Sequence, residues 1–113
     1  MKSTTTVKKN YEFRRMYAKG KSGVSSCLVV YYRKNRLGHN RLGVTVSTKL
    51  GHAVVRNRVR RRLREIYRLN REKMTAGYDI IIVARVRAAE APYRKLERHY
   101  LRCLGELGLL TDA

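Results

Sequence analysis

Between Ala53 and Thr75 apolar side chains recur at Val55, Val59, Leu63, Ile66 and Met74. Steps of three, four or eight residues gather on one side of an α-helix, so the spacing predicts a long amphipathic helix over this stretch, ending near Gly77. Phe13, Met16 and Tyr17 repeat in the same way and are followed by Gly20, which predicts a shorter helix with Asn10 as its N-cap and Gly20 at its end. A third helix opens at Pro92, where the first turn tolerates proline, and carries Leu96, Tyr100, Leu104 and Leu107 inward.

Other stretches have a strand period. Cys27 to Tyr32, CLVVYY, is β-branched and aromatic. Arg41 to Thr48 alternates Leu42, Val44 and Val46 with Gly43, Thr45 and Ser47, and so has one buried and one polar face. Because only the turn-rich segment Arg33 to Asn40 separates them, the two are expected to pair as an antiparallel hairpin. Asp79 to Ala84, DIIIVA, is apolar without interruption, as a centrally placed strand would be. The long helix lies between strands, which implies a βαβ unit with, by default, a right-handed crossover.

One α+β domain accounts for residues 10–113, and 113 residues leave room for a single core. Residues 1–9, with Lys2, Lys8 and Lys9, have nothing to bury and are expected to form a flexible basic arm. No repeat, linker or low-complexity tract suggests a second domain.

Charge narrows the function. Lys and Arg total 27 against 8 Asp plus Glu, a net charge of +19. With 43% hydrophobic residues the chain can still fold, so it reads as a basic domain whose leading partner is nucleic acid. No apolar run approaches the roughly 18 residues that span a bilayer. The N-terminus MKSTTTVKKN lacks the apolar centre of a signal peptide, which predicts a cytoplasmic protein without a membrane role.

On a wheel of about 100° per residue, Arg60, Arg71, Arg64, Asn57, Arg68 and Arg61 fall in one arc beside the apolar stripe, with Glu65 and Glu72 outside it. Like charges on one strip repel by a few tenths of a kcal/mol per pair, and solvated helix faces tend to mix signs. The strip is therefore read as a surface for a polyanion.

Protein-based catalysis has little to stand on. The eight carboxylates are dispersed with no paired motif, His39, His52 and His99 are isolated, and neither a P-loop nor GxGxxG is present. Cys27 and Cys103 sit in apolar stretches away from other donors and read as small buried hydrophobes. His52, just before the arginine helix, is read as a phosphate contact or a cap. Among the aromatic residues, Phe13 and Tyr17 share a helix face, and Tyr31 and Tyr32 point to opposite sides of a strand. Rings on an open surface stack on single-stranded bases at about 1 to 3 kcal/mol each.

Arg56-Asn57-Arg58 with Val59-Arg60-Arg61-Arg62-Leu63-Arg64-Glu65 resembles the RNR signature of the bacterial ribonuclease P protein component. Arg41 to Ser47, Gly51 to Val55 and Gly77 to Arg85 resemble the elements that flank it in that family, in the same order, over roughly residues 8 to 110. Thr48 stands where many members have Lys, and His52 where many have Asn.

The resemblance implies a small α-β sandwich of three helices and an about four-stranded sheet, like the second domain of ribosomal protein S5, with an unusual left-handed βαβ crossover. It also implies a subunit of a ribonucleoprotein that removes the 5′ leader of precursor tRNA, with catalysis by the RNA and Mg2+ bound mainly through RNA. Implied contacts are Arg56, Asn57, Arg58, Arg60, Arg61, Arg64 and Arg68 on the RNR helix, Phe13, Tyr17 and Tyr31 for the leader, and Ser47, Lys49 and His52 as further RNA contacts. The implied partners are ribonuclease P RNA and the precursor tRNA leader, with no obligate protein partner and no metal or catalytic residue in the protein. A ribosomal or RNA-chaperone protein shares the charge and fold class, and a metal-dependent nuclease is the other alternative.

Overall fold

The computed structural model describes residues 10–111, so the arm expected over residues 1–9 lies outside the described residues. Its elements are helix α1 (Asn10–Lys19), strands β1 (Lys21–Val24), β2 (Leu28–Lys34) and β3 (Arg41–Val46), helix α2 (Ala53–Leu69), strand β4 (Tyr78–Ala84) and helix α3 (Tyr93–Glu106). Short 3-10 turns, Thr48–Leu50, Arg71–Lys73 and Val86–Ala89, lie between them. Among the described residues no helix is long and apolar enough to cross a membrane.

The sheet order is β1-β2-β4-β3, with β2 antiparallel and β3 parallel to β4. The expected hairpin between β2 and β3 is therefore corrected: β4 inserts between them, and β2 instead forms a hairpin with β1. The physical reason is burial. Ile80, Ile81 and Ile82 are inaccessible on both faces of β4, and only the centre of a sheet covers both faces of a strand. The segment after β2 spans the start of β4, where Asn35 donates from Nδ2 to the His39 carbonyl and to Asp79 Oδ1. As expected, α2 joins two parallel strands in a βαβ unit.

Even-numbered positions of the three longer strands, Leu28, Val30, Leu42, Val46, Ile80 and Ile82, join the main core with Val59, Leu63 and Ile66 of α2 and Leu96, Tyr100 and Leu104 of α3. Cys27 and Cys103 are buried free thiols in it. The odd-numbered face carries only α1. Met16 and Ile81 are buried but stand outside the main core, so α1 is held by a small separate contact on the far face of the sheet.

Two helix boundaries differ from expectation. α2 ends at Leu69, well short of Gly77, because Asn70 is buried and its Nδ2 donates both to the Ile66 carbonyl and to Glu97 Oε2. Arg71 consequently lies in a 3-10 turn, and Met74 reaches the core through a bridge to Leu110. α3 begins at Tyr93, with Pro92 at the N-cap position. At the start of α1, which includes Asn10 itself, the capping role read for the Asn10 side chain lies outside what is described. Gly20 ends α1 as expected, its N–H donating to the Met16 carbonyl, and a Cβ there would strike that carbonyl oxygen at 2.5 Å.

Candidate nucleic-acid interface

The alternation of β3 sends Arg41, Gly43 and Thr45 to the face opposite the main core, and α1 lies across them. Arg41 donates to Asp79 through Nε at 2.8 Å and Nη2 at 2.6 Å, and to Glu12 of α1 through Nη1 at 3.2 Å. Burial opposes the Asp79 charge, but hydrogen bonds from Arg41 and Asn35 and the charges of Arg41 and Arg33 outweigh it and hold the carboxyl below its ordinary range. Hydrogen bonding to Asp79 is the largest effect on Arg41, whose guanidinium stays charged. This bridge fixes one end of α1 on the sheet.

One register step along, Phe13 lies on Gly43, where a Cβ would come within 2.9 Å of its ring. At the next step the Tyr17 hydroxyl and Thr45 Oγ1 are 3.1 Å apart. The Tyr17 ring meets Tyr31 of β2 edge to face at 5.0 Å and lies 6.5 Å from Phe13. The three predicted rings are thus brought together. Val29 and Val83 continue from Thr45 as a half-buried row across β2, β4 and β3. Tyr17 remains 41% exposed. The three rings and this half-buried row together line the candidate cleft beside α1.

Sequence reasoning singled out the rings but not Arg41, Glu12 and Asp79, which position α1, nor Gly43 and Thr45. A signal for Gly43 was present: glycine inside a strand marks a close approach. The ion pairs had none, since Glu12, Arg41 and Asp79 are far apart in sequence.

On the other side of the sheet, α2 carries the cationic strip. Asn57, Arg60, Arg61 and Arg64 line one open depression of about 390 Å³. Arg60 Nη1 donates to Asn57 Oδ1 at 2.9 Å, one turn away. Among the described residues no carboxylate forms an ion pair with Arg60, Arg61 or Arg64. Arg68 is exposed one turn further on and acts electrostatically on the Tyr93 hydroxyl.

The other predicted residues are placed differently. Arg71 is removed from the strip by the end of the helix. Arg56 and Arg58 leave it on opposite flanks, about 200° apart on the wheel. Both are half-buried, and Arg58 Nη2 donates to the Ala89 carbonyl at 3.2 Å, a tie between α2 and the segment before α3. Ser47, Lys49 and His52 are exposed on the connection from the cleft strand β3 to the first turn of α2. Ser47 Oγ accepts from the Lys49 N–H, so Ser47 caps the 3-10 turn. His52 occupies the N-cap position of α2, but its side chain makes no capping hydrogen bond, which corrects the capping alternative. Imidazole is a poorer fit there than the short oxygen-bearing side chains that reach back to the first-turn N–H groups. Among the described residues no three His, Cys, Asp or Glu side chains gather as a metal site.

Known proteins resemble this chain both in sequence and in fold. The family profile described as Ribonuclease P matches residues 1–108. The chain is 44% identical over 110 residues to the ribonuclease P protein component of Natranaerobius thermophilus, covering 97% of this chain and 96% of that protein. It is 43% identical over 113 residues to the Alkaliphilus oremlandii component, with 100% and 99% covered. Among solved structures, the RNase P protein of Staphylococcus aureus superposes with a TM-score of 0.87 at 33% identity, covering 96% of this chain and all of that one. That of Thermotoga maritima superposes with a TM-score of 0.79 at 30% identity, with 86% and 92% covered. Matched along nearly its whole length in sequence and in fold, the chain belongs to the family of ribonuclease P protein components, subunits of an RNA-processing endoribonuclease that work with its RNA.

Proposed function

We propose that the α2 strip docks the protein on the catalytic RNA while the cleft under α1 holds the 5′ leader of precursor tRNA, so that the RNA removes the leader and leaves the mature 5′ end. One observation carries this reading: the guanidinium groups of Arg60, Arg61 and Arg64 gather on one face without a carboxylate partner among the described residues, and Phe13, Tyr17 and Tyr31 gather on the opposite one. Guanidinium groups contact phosphates whatever the base sequence, and aromatic rings stack on any base. Both modes suit leaders that differ from one tRNA to the next. Ser47, Lys49 and His52 extend the cationic and polar path from the cleft to α2. Arg56 and Arg58 flank the strip, and Arg58 also ties α2 to the segment before α3 through the Ala89 carbonyl.

Among the described residues no three His, Cys, Asp or Glu side chains gather as a metal cage, and the reading places Mg2+ mainly on the RNA. The site of action is the cytoplasm, and no further protein subunit is required for these contacts.

Binding of precursor and mature tRNA to the catalytic RNA, with and without the protein, tests the reading. The protein is expected to strengthen binding of precursor over mature tRNA, and Phe13→Ala to reduce that preference several-fold while leaving assembly with the catalytic RNA intact. Equal effects of Phe13→Ala on precursor and mature tRNA would remove the leader from the cleft.

A further inference from the structure

α3 has a second one-signed surface that the cleft and the α2 strip do not use. On a wheel of about 100° per residue, Arg94, Arg98, Arg102 and Lys95 fall within one arc, directly opposite the buried Leu96, Tyr100 and Leu104. All four are exposed. Arg94, Arg98 and Arg102 are each four residues apart and form a row of about 12 Å at 1.5 Å per residue.

The helix's acids are placed so that they hardly offset this row. Glu97 is turned to the buried Asn70 that ends α2, accepting at 2.9 Å. Glu106 lies at the edge of the arc and reaches Arg102 only at 3.9 Å, with both side chains more than half exposed, a geometry in which solvent screens most of the attraction. Glu90 shares an open depression with Lys95 and Arg87, beside the start of the helix. The excess positive field is felt by His99 on the same helix. Burial chiefly, then Arg102, Lys95 and Arg98, hold its imidazole below the usual range.

We infer that the outward face of α3 is a second RNA-binding surface, taking the phosphate backbone of a segment of the catalytic RNA different from the one on α2. The occupant follows from charge and position. A row of guanidinium groups that repel one another at four-residue spacing is relieved by a polyanion. α3 also shares its layer with α2, on the side of the sheet away from the leader cleft. The inference rests on docking to the catalytic RNA as proposed above, and extends it to a grip by two helices.

The experiment compares three triple variants of the full chain binding the catalytic RNA across a salt series: Arg94→Gln/Arg98→Gln/Arg102→Gln on α3, Asn57→Ala/Arg60→Gln/Arg64→Gln on α2, and Lys34→Gln/Arg36→Gln/Lys73→Gln at exposed sites elsewhere. The α3 triple is expected to weaken binding by about tenfold and to reduce the salt slope by roughly 2 to 3. The control triple, which removes the same charge, should reduce the slope by less than about 1. An iron chelate attached at Arg98→Cys should cleave an RNA segment distinct from the one cleaved by a chelate at Arg61→Cys. Cys27 and Cys103, being buried, stay unlabelled. If the α3 and control triples behave alike and the position-98 probe leaves no localised cleavage, the inference is overturned while α2 docking stands. If the α2 triple also matches the control, the docking proposal itself fails.

Discussion

Gly43 is the residue on which the cleft depends most closely, because the Phe13 ring occupies the space where a side chain would start. The strand conformation there is ordinary, so the demand is steric. Gly43→Ala forces the ring, and with it α1, to give way, at a cost of about 1 to 3 kcal/mol by the usual scale of overpacking. A lowered Tm is expected together with weaker discrimination of leader-bearing tRNA. An unchanged Tm and unchanged discrimination would show that Phe13 does not rest on Gly43.

His99 gives a pH signature at the same scale. Its folded-state pKa lies below the unfolded value of 6.5, so the unfolded chain takes up a proton first as pH falls. Stability is therefore full above about 6.5 and declines as pH falls from there toward the folded value. Between pH 7 and 5 the wild-type Tm is expected to fall more steeply than that of His99→Gln. Parallel curves would contradict the assignment. The sequence marked His99 only as isolated, because the surroundings that set its charge come from the fold.

At the scale of elements, helices were legible from apolar periodicity, and so was the central role of β4, whose unbroken apolar run needs cover on both faces. Pairing was not legible. The alternation of β3 suits an antiparallel or a parallel neighbour equally, and a short connection favoured β2, whereas burial of Ile80, Ile81 and Ile82 made β4 the partner. β1, four residues with one buried position, had too short a pattern to be seen. The end of α2 was missed because Asn70 reads as polar and surface-seeking, yet its amide is buried between Ile66 and Glu97. Asn70→Ala leaves the Glu97 carboxylate and the Ile66 carbonyl without this donor and is expected to cost about 1 to 3 kcal/mol. Chemical denaturation measures it, and a loss below about 0.5 kcal/mol would mean that water substitutes for the amide.

For the molecule as a whole, the sheet separates two kinds of surface. One face buries the common core beneath α2 and α3, whose outward sides carry the arginine-rich surfaces. The other face carries only α1, held by the Arg41 bridge, Met16 and Phe13. The strip was readable from the wheel because α2 is regular from Ala53 to Leu69, and the rings were readable as candidates. Their meeting was not, since Tyr17 and Tyr31 come together only when α1 crosses the sheet.

The division of labour rests on α2 being the face that meets the catalytic RNA. The most direct measurement is the salt dependence of that binding for the wild type, Arg60→Gln, Arg64→Gln and the double variant. Each replacement is expected to lower the slope of log affinity against log salt by about 1, and the double variant by about 2. A wild-type slope retained in all three would show that these guanidinium groups touch no phosphate and would contradict the account.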